Sequence, residues 1–405
     1  MRNRNVWVGA AFLGVIAALT AGQAIVARHA AAQAARRVTA PRFEVDPFWP
    51  KPLPNHWLLG RTIGLSVDER DHVFIIHRGA AHLDPKTEAG ADATPPIGEC
   101  CRSAPPILEF DPAGNMVGHW GGPGTGYEWP ESNHGLTVDH KGNIWIGGNG
   151  QPDSHVLKFT RTGKFLAQFG RPGARRVADK KYAANSHDTQ SFGRVAKIFI
   201  DPRANEAYLA DGYLNRRVAV IDADTGKFKR YWGAYGNKPD DTDLGDYNPD
   251  APPAKQFRTP VHCADLSSDG LLYVCDRPNN RLQVFKTDGT FVREMFIAKR
   301  TLGDGAIWDI AFSKDPKQTY LYVADGKNER IYIVQRDTME LLTSFGDGGR
   351  QPGQFFGVHS IATDSKGNIY TVETYEGKRL QKFVYKGLGA VDRLHQGAGG
   401  AWPAR

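Results

Sequence analysis

Three histidines, His134, His262 and His359, stand directly before similar short apolar strings: Gly135-Leu-Thr-Val-Asp139, Cys263-Ala-Asp-Leu-Ser267 and Ser360-Ile-Ala-Thr-Asp364. Imidazoles delivered from equivalent positions of separate repeats can converge on one point. Three such ligands with a fourth position left open suit catalytic zinc. A single histidine there would more often be a satisfied strand-start residue, but three in one register argue for a shared task. The remaining ten of the 13 histidines show no such register.

A second set of polar residues stands where apolar strands end: His77-Arg78-Gly79, Asp211-Gly-Tyr213 with Asn215-Arg216, and Asp276-Arg277-Pro278-Asn279. An arginine can grip a carboxylate with two parallel hydrogen bonds. A tyrosine beside a metal and an arginine can act as a base, because nearby positive charge favours its ionised form. Asp211 and Asp276 read as turn residues. For Arg78, Tyr213 and Arg277, composition supports turn chemistry and site chemistry equally.

The elements that must position these groups repeat six times. An apolar strand ending on Asp or Ser is followed by a turn and a second apolar strand; the clearest turns are Asp139-His-Lys-Gly-Asn143 and Asp364-Ser-Lys-Gly-Asn368. Gly and Asn supply the positive φ that tight hairpins require. Third and fourth strands complete most units, as in Leu282-Gln-Val-Phe285, Thr287-Asp-Gly-Thr290 and Phe291-Val-Arg-Glu-Met295, and several fourth strands end on an aromatic-Gly pair such as Trp120-Gly121 or Trp232-Gly233. Six four-stranded antiparallel units predict an all-β, six-bladed β-propeller over residues 43–386. The last unit lacks a fourth strand, and His56-Trp-Leu-Leu-Gly60 is expected to supply it and close the ring. Residues 387–405 read as a loose tail.

Composition agrees with that architecture. With 45 Gly, 25 Pro and 11% aromatic residues in 405, long helices are disfavoured, and the 40% hydrophobic content is ample for a core. Long insertions at Gly79 to Pro106, Arg171 to Ser191 and Ala234 to Gln256 all fall on the face where first strands begin, which marks it as the functional face. Residues 1–34 read as a signal peptide, with Arg2 and Arg4 before an uncharged stretch and Ala32-Gln33-Ala34 as cleavage site. The chain is then expected to be exported, to the periplasm or outside the cell. The stretch is also long enough for an uncleaved membrane anchor. Cleavage removes Arg2, Arg4 and Arg28, lowering the formal charge from +7 to +4. With no basic run interleaved with aromatics, nucleic acid is not expected as a partner.

The repeated strand, Asp-x-x-Gly-Asn turn and Asn/Arg corner resemble NHL-type propellers. Leu65-Ser-Val-Asp68 leading to His77-Arg-Gly79, Asn133-His-Gly-Leu136, Ala210-Asp-Gly-Tyr-Leu-Asn-Arg216, Val261-His262 leading to Cys275-Asp-Arg277, and Val358-His359 resemble the peptidyl-α-hydroxyglycine α-amidating lyases. The resemblance implies zinc on His134, His262 and His359, Tyr213 as the base, and Arg78 and Arg277 as its helpers. It also implies a structural calcium on the backbone carbonyls of Leu65 and Leu136 with an aspartate after the third histidine. Ser360 stands at that aspartate position, which weakens a site for a hard cation. The implied reaction is C–N cleavage of a carbinolamide at the channel mouth, giving an amide and glyoxylate, by a single ring acting as a monomer. The alternative is a non-catalytic propeller that holds a peptide, glycan or protein on its loop-rich face.

Four cysteines suit an exported protein. Cys263 and Cys275 flank one hairpin symmetrically and can pair across it. Cys100 and Cys101 can bond to each other, remain free, or bridge elsewhere.

Overall fold

The computed structural model describes residues 37–397, with Gln23 the one described residue before them. The expected signal peptide and the last residues of the expected tail lie outside that range. Among the described residues no helix is long and apolar enough to cross a membrane.

Six four-stranded antiparallel sheets form the expected propeller. The inner strands are Arg61–Val67, Asn133–Val138, Val195–Asp201, Val261–Leu266, Asp309–Phe312 and Val358–Thr363, and they pack against one another around the ring. Second strands such as Val73–Arg78 and Ile144–Gly148 are buried on both faces between neighbouring blades, hence their unbroken apolar runs. The corner acids do local work. Asp139 accepts from the backbone N–H of Lys141 and Asn143, from the Asn143 side-chain amide and from the Trp145 indole, at 2.8–3.0 Å. Asp364 repeats this with Asn368 and Tyr370.

The aromatic-Gly pairs lock blade to blade. Trp120, Phe169 and Trp232 lie against the turn glycines Gly163, Gly226 and Gly289 of the following blade. At Gly226, where φ is +71°, an added Cβ would sit 2.1 Å from the Phe169 ring, so only glycine fits.

The ring closes differently from the expectation. Blade six consists of Val358–Thr363, Ile369–Glu373, Leu380–Asp392 and, as outer strand, Arg37–Asp46, with Arg37 opposite Asp392 and Asp46 opposite Lys382. The expected closing segment holds only Trp57–Leu58, which pairs in parallel with Arg102–Ser103 in the first insertion. Arg37–Asp46 wins because Phe43 and Val45 face inward onto Tyr322, Phe345 and Phe383, an apolar surface too large to leave wet. The last strand therefore runs past residue 386, and the segment from 387 to Asp392 is paired strand.

Cys263 and Cys275 face each other across the blade-four hairpin and are bonded, and Cys100 is bonded to Cys101. The insertions after Arg78, Gly170 and Trp232 leave from the strand ends that share one face with the starts of the inner strands.

Candidate metal centre

His134, His262 and His359 enter the channel from the inner strands of blades two, four and six, all at one register position. The equivalent positions of blades one, three and five are Ile63, Ala196 and Trp308, and these supply backbone carbonyls instead. Each histidine Nδ1 pairs with one of them: His134 with Ala196 O at 2.7 Å, His359 with Ile63 O at 2.7 Å, and His262 with Trp308 O. A carbonyl only accepts, so each Nδ1 carries the proton and each Nε2 turns a lone pair inward. The three ligand nitrogens lie within 4.8 Å of one another, and the rings are 2–3% exposed.

Tyr213 joins this layer from the end of blade three's second strand. Gly212 makes the approach possible, since a Cβ there would lie 2.1 Å from the Val261 carbonyl. The Tyr213 hydroxyl sits 3.0 Å from Nε2 of both His134 and His262, and Arg277 donates to it at 3.3 Å. One hydroxyl proton can serve only one of the two imidazoles. The other contact sets lone pair against lone pair, an arrangement that a cation among the nitrogens would relieve.

Burial sets the charge state of the histidines. Desolvation, aided in each case by the positive charge of Arg277, holds His134 and His262 well below the usual imidazole range and pulls His359 down to about 3. All three are neutral at physiological pH, as metal ligation requires. The donor set fits zinc: three neutral nitrogens and an open side towards Tyr213.

Two arginines frame that open side. Arg277 lies over the Trp308 ring at 4.6 Å and is 3.5 Å from Asp304. Arg78 donates to the Asn133 carbonyl at 3.1 Å and to the Asn149 side chain at 2.6 Å, tying blade one to the strand that carries His134. Burial lowers Arg78 to about 10, which leaves it a full cation at neutral pH. A cavity of about 440 Å³ opens beside Arg277, with Arg216, Tyr247, Arg258 and Leu302 in its walls. Asp211 and Asp276 are structural, as expected: each is fully buried and pairs with an arginine of its own blade, Arg217 at 2.8 Å and Arg281 at 2.6 Å.

The calcium implied at Leu65 and Leu136 finds a poor donor set. Those residues line a small cavity with Ser360, Lys197 and Asp309. Ser360 Oγ is turned to the Ile63 carbonyl at 2.9 Å, and the Lys197 ammonium already occupies Asp309 at 2.6 Å and Asp265 at 3.0 Å. Desolvation works against the charge on Lys197, yet these two carboxylates raise it above the usual lysine range.

The NHL-repeat model matches residues 261–285, from the inner to the third strand of blade four. Blade four of this six-bladed propeller thus matches an NHL repeat. The chain is 26% identical over 327 residues to peptidyl-glycine alpha-amidating monooxygenase A of Xenopus laevis, covering 78% of this chain and 31% of that protein. It is 23% identical over 368 residues to peptidyl-alpha-hydroxyglycine alpha-amidating lyase 1 of Drosophila melanogaster, covering 84% and 59%. The chain thus spans between about a third and three fifths of the length of these relatives. Among solved structures, a Bacteroides thetaiotaomicron protein of unknown function shares the fold, with a TM-score of 0.50 at 12% identity over 86% of this chain and 77% of that one.

Of the residues grouped from the sequence, the structure brings the three histidines, Tyr213 and Arg277 together, and Arg78 reaches the His134 strand through the Asn133 carbonyl. Sequence reasoning missed Trp308, Asn149 and Asp304. Trp308 had a signal, since it occupies the histidine register in blade five; Asn149 and Asp304 lie on links with no repeat to align.

Proposed function

We propose that this NHL propeller is an exported, zinc-dependent lyase that cleaves the C–N bond of a carbinolamide such as a peptidyl-α-hydroxyglycine, releasing an amide and glyoxylate. The observation that carries this reading is the convergence of three inward Nε2 lone pairs with the Tyr213 hydroxyl and the Arg277 guanidinium. The distant likeness to proteins named as amidating lyase and monooxygenase supports it.

Zinc held by His134, His262 and His359 would supply a Lewis acid that makes a substrate hydroxyl easier to deprotonate. Tyr213 is the base, held against the Arg277 guanidinium, and takes the hydroxyl proton. As the carbon–oxygen double bond of glyoxylate forms, the C–N bond breaks, and the proton passes to the departing amide nitrogen, so no proton is gained or lost overall. Arg277 grips the substrate carboxylate, with Arg78 as a second positive charge at the rim. The cavity beside Arg277 has room for the rest of the substrate. The disulfides Cys263–Cys275 and Cys100–Cys101 support an oxidising compartment.

The test is glyoxylate release from an α-hydroxyhippurate-type substrate. Tyr213→Phe should lower kcat by roughly 10²–10⁴-fold with the zinc content unchanged. Unchanged turnover in that variant would reject Tyr213 as the base. A wild type that holds zinc yet turns over no such substrate would favour the binding-module reading, in which the cavity and the one-sided loops serve a ligand.

A further inference from the structure

One register position past the histidines, the inner strands carry Gly64, Gly135, Lys197, Cys263, Asp309 and Ser360. Lys197 is the only cation among these six, and its side chain is just 13% exposed. Its Nζ lies 2.6 Å from Asp309 Oδ1 and 3.0 Å from Asp265 Oδ2, so one ammonium joins blades three, four and five. Asp309 Oδ2 in turn accepts the backbone N–H of Ile361 at 3.1 Å, which extends the link to blade six. Ser360 Oγ donates to Ile63 O, completing the path to blade one.

The same ammonium lines the small cavity that contains Leu65 and Leu136. An ammonium offers donors only, so it adds no ligand for a hard cation and repels a dication in the same cavity. Asp265 and Asp309 also fall in a cluster of metal-ligand types with Cys263, but the Cys263 sulfur is committed to Cys275. Among the described residues, the two carboxylates of this layer are both already paired with Lys197.

We propose that Lys197 is the resident cation of the channel, a charge carried on the chain that pins the inner strands where calcium was expected, so that this protein neither holds nor needs calcium there. This stands apart from the zinc reading and is tested without activity. Wild-type protein exposed to millimolar calcium and then desalted should contain far less than one calcium per chain, and calcium should leave its thermal midpoint unmoved. Lys197→Ala should lower the midpoint by roughly 5–10 °C, and added calcium should restore part of that loss, because two carboxylates are then free beside the Leu65 and Leu136 carbonyls. If Lys197→Ala does not fold, the triple variant Lys197→Met, Asp265→Asn, Asp309→Asn, which removes all three charges together, should fold and remain indifferent to calcium. Stoichiometric calcium in the wild type, a calcium-dependent wild-type midpoint, or a Lys197→Ala midpoint equal to wild type would each overturn the proposal.

Discussion

Two layers of polar side chains line the channel at neighbouring levels of the inner strands, and they answer positive charge in opposite ways. In the layer of His134, His262 and His359, every ring N–H points outward to a backbone carbonyl, and three Nε2 atoms face in. In the layer of Lys197, Asp309 and the nearby Asp265, both carboxylates are already paired with an ammonium. Burial does not separate the layers, since both are largely enclosed. What separates them is whether a cation of the protein's own already sits among the acceptors. A cluster of ligand-type residues becomes a candidate metal centre only when no such cation fills it.

The comparison can be broken most forcefully in the second layer. Lys197→Met leaves two enclosed carboxylates without a counter-charge and should cost about 3–5 kcal/mol, read by denaturant unfolding. A cost under 1 kcal/mol would show that the second layer is an ordinary ion pair. At the mouth the charges face substrate instead. Arg277→Met should therefore raise KM for a carboxylate-bearing substrate by roughly 10–100-fold while leaving unfolding nearly unchanged. An equal KM would remove Arg277 from the substrate. The smallest effect is expected at Asp304, which is half exposed and 3.5 Å from Arg277. Asp304→Asn frees the guanidinium and should lower KM by less than about fivefold; a rise in KM would mean that Asp304 itself holds the substrate.

Much of this contrast was legible in the chain, and the gaps have physical causes. The Asp-x-x-Gly-Asn corners announce hairpins because each acid serves several local donors, and local chemistry survives in sequence. The three histidines were legible through register alone. Lys197 was not, because a lysine in a strand usually marks a wet face; only ring closure brings Asp265 and Asp309 from other blades to its ammonium. The closing strand was misassigned for a related reason. His56–Gly60 shares its aromatic-Gly look with true outer strands, whereas Arg37–Asp46 carries its signal as alternation, Val38, Ala40, Phe43 and Val45, broken by the bulge between Pro41 and Phe43. A bulge shifts the period-two pattern by one, which hides it from a simple scan.

The histidine layer is the centre of the account, and metal analysis tests it most directly. Protein purified with zinc present and then desalted should hold one zinc per chain, and the double variant His134→Ala, His262→Ala should hold none while keeping its β-sheet circular dichroism. A wild type that retains no zinc, or a folded double variant that still binds it stoichiometrically, would contradict the assignment.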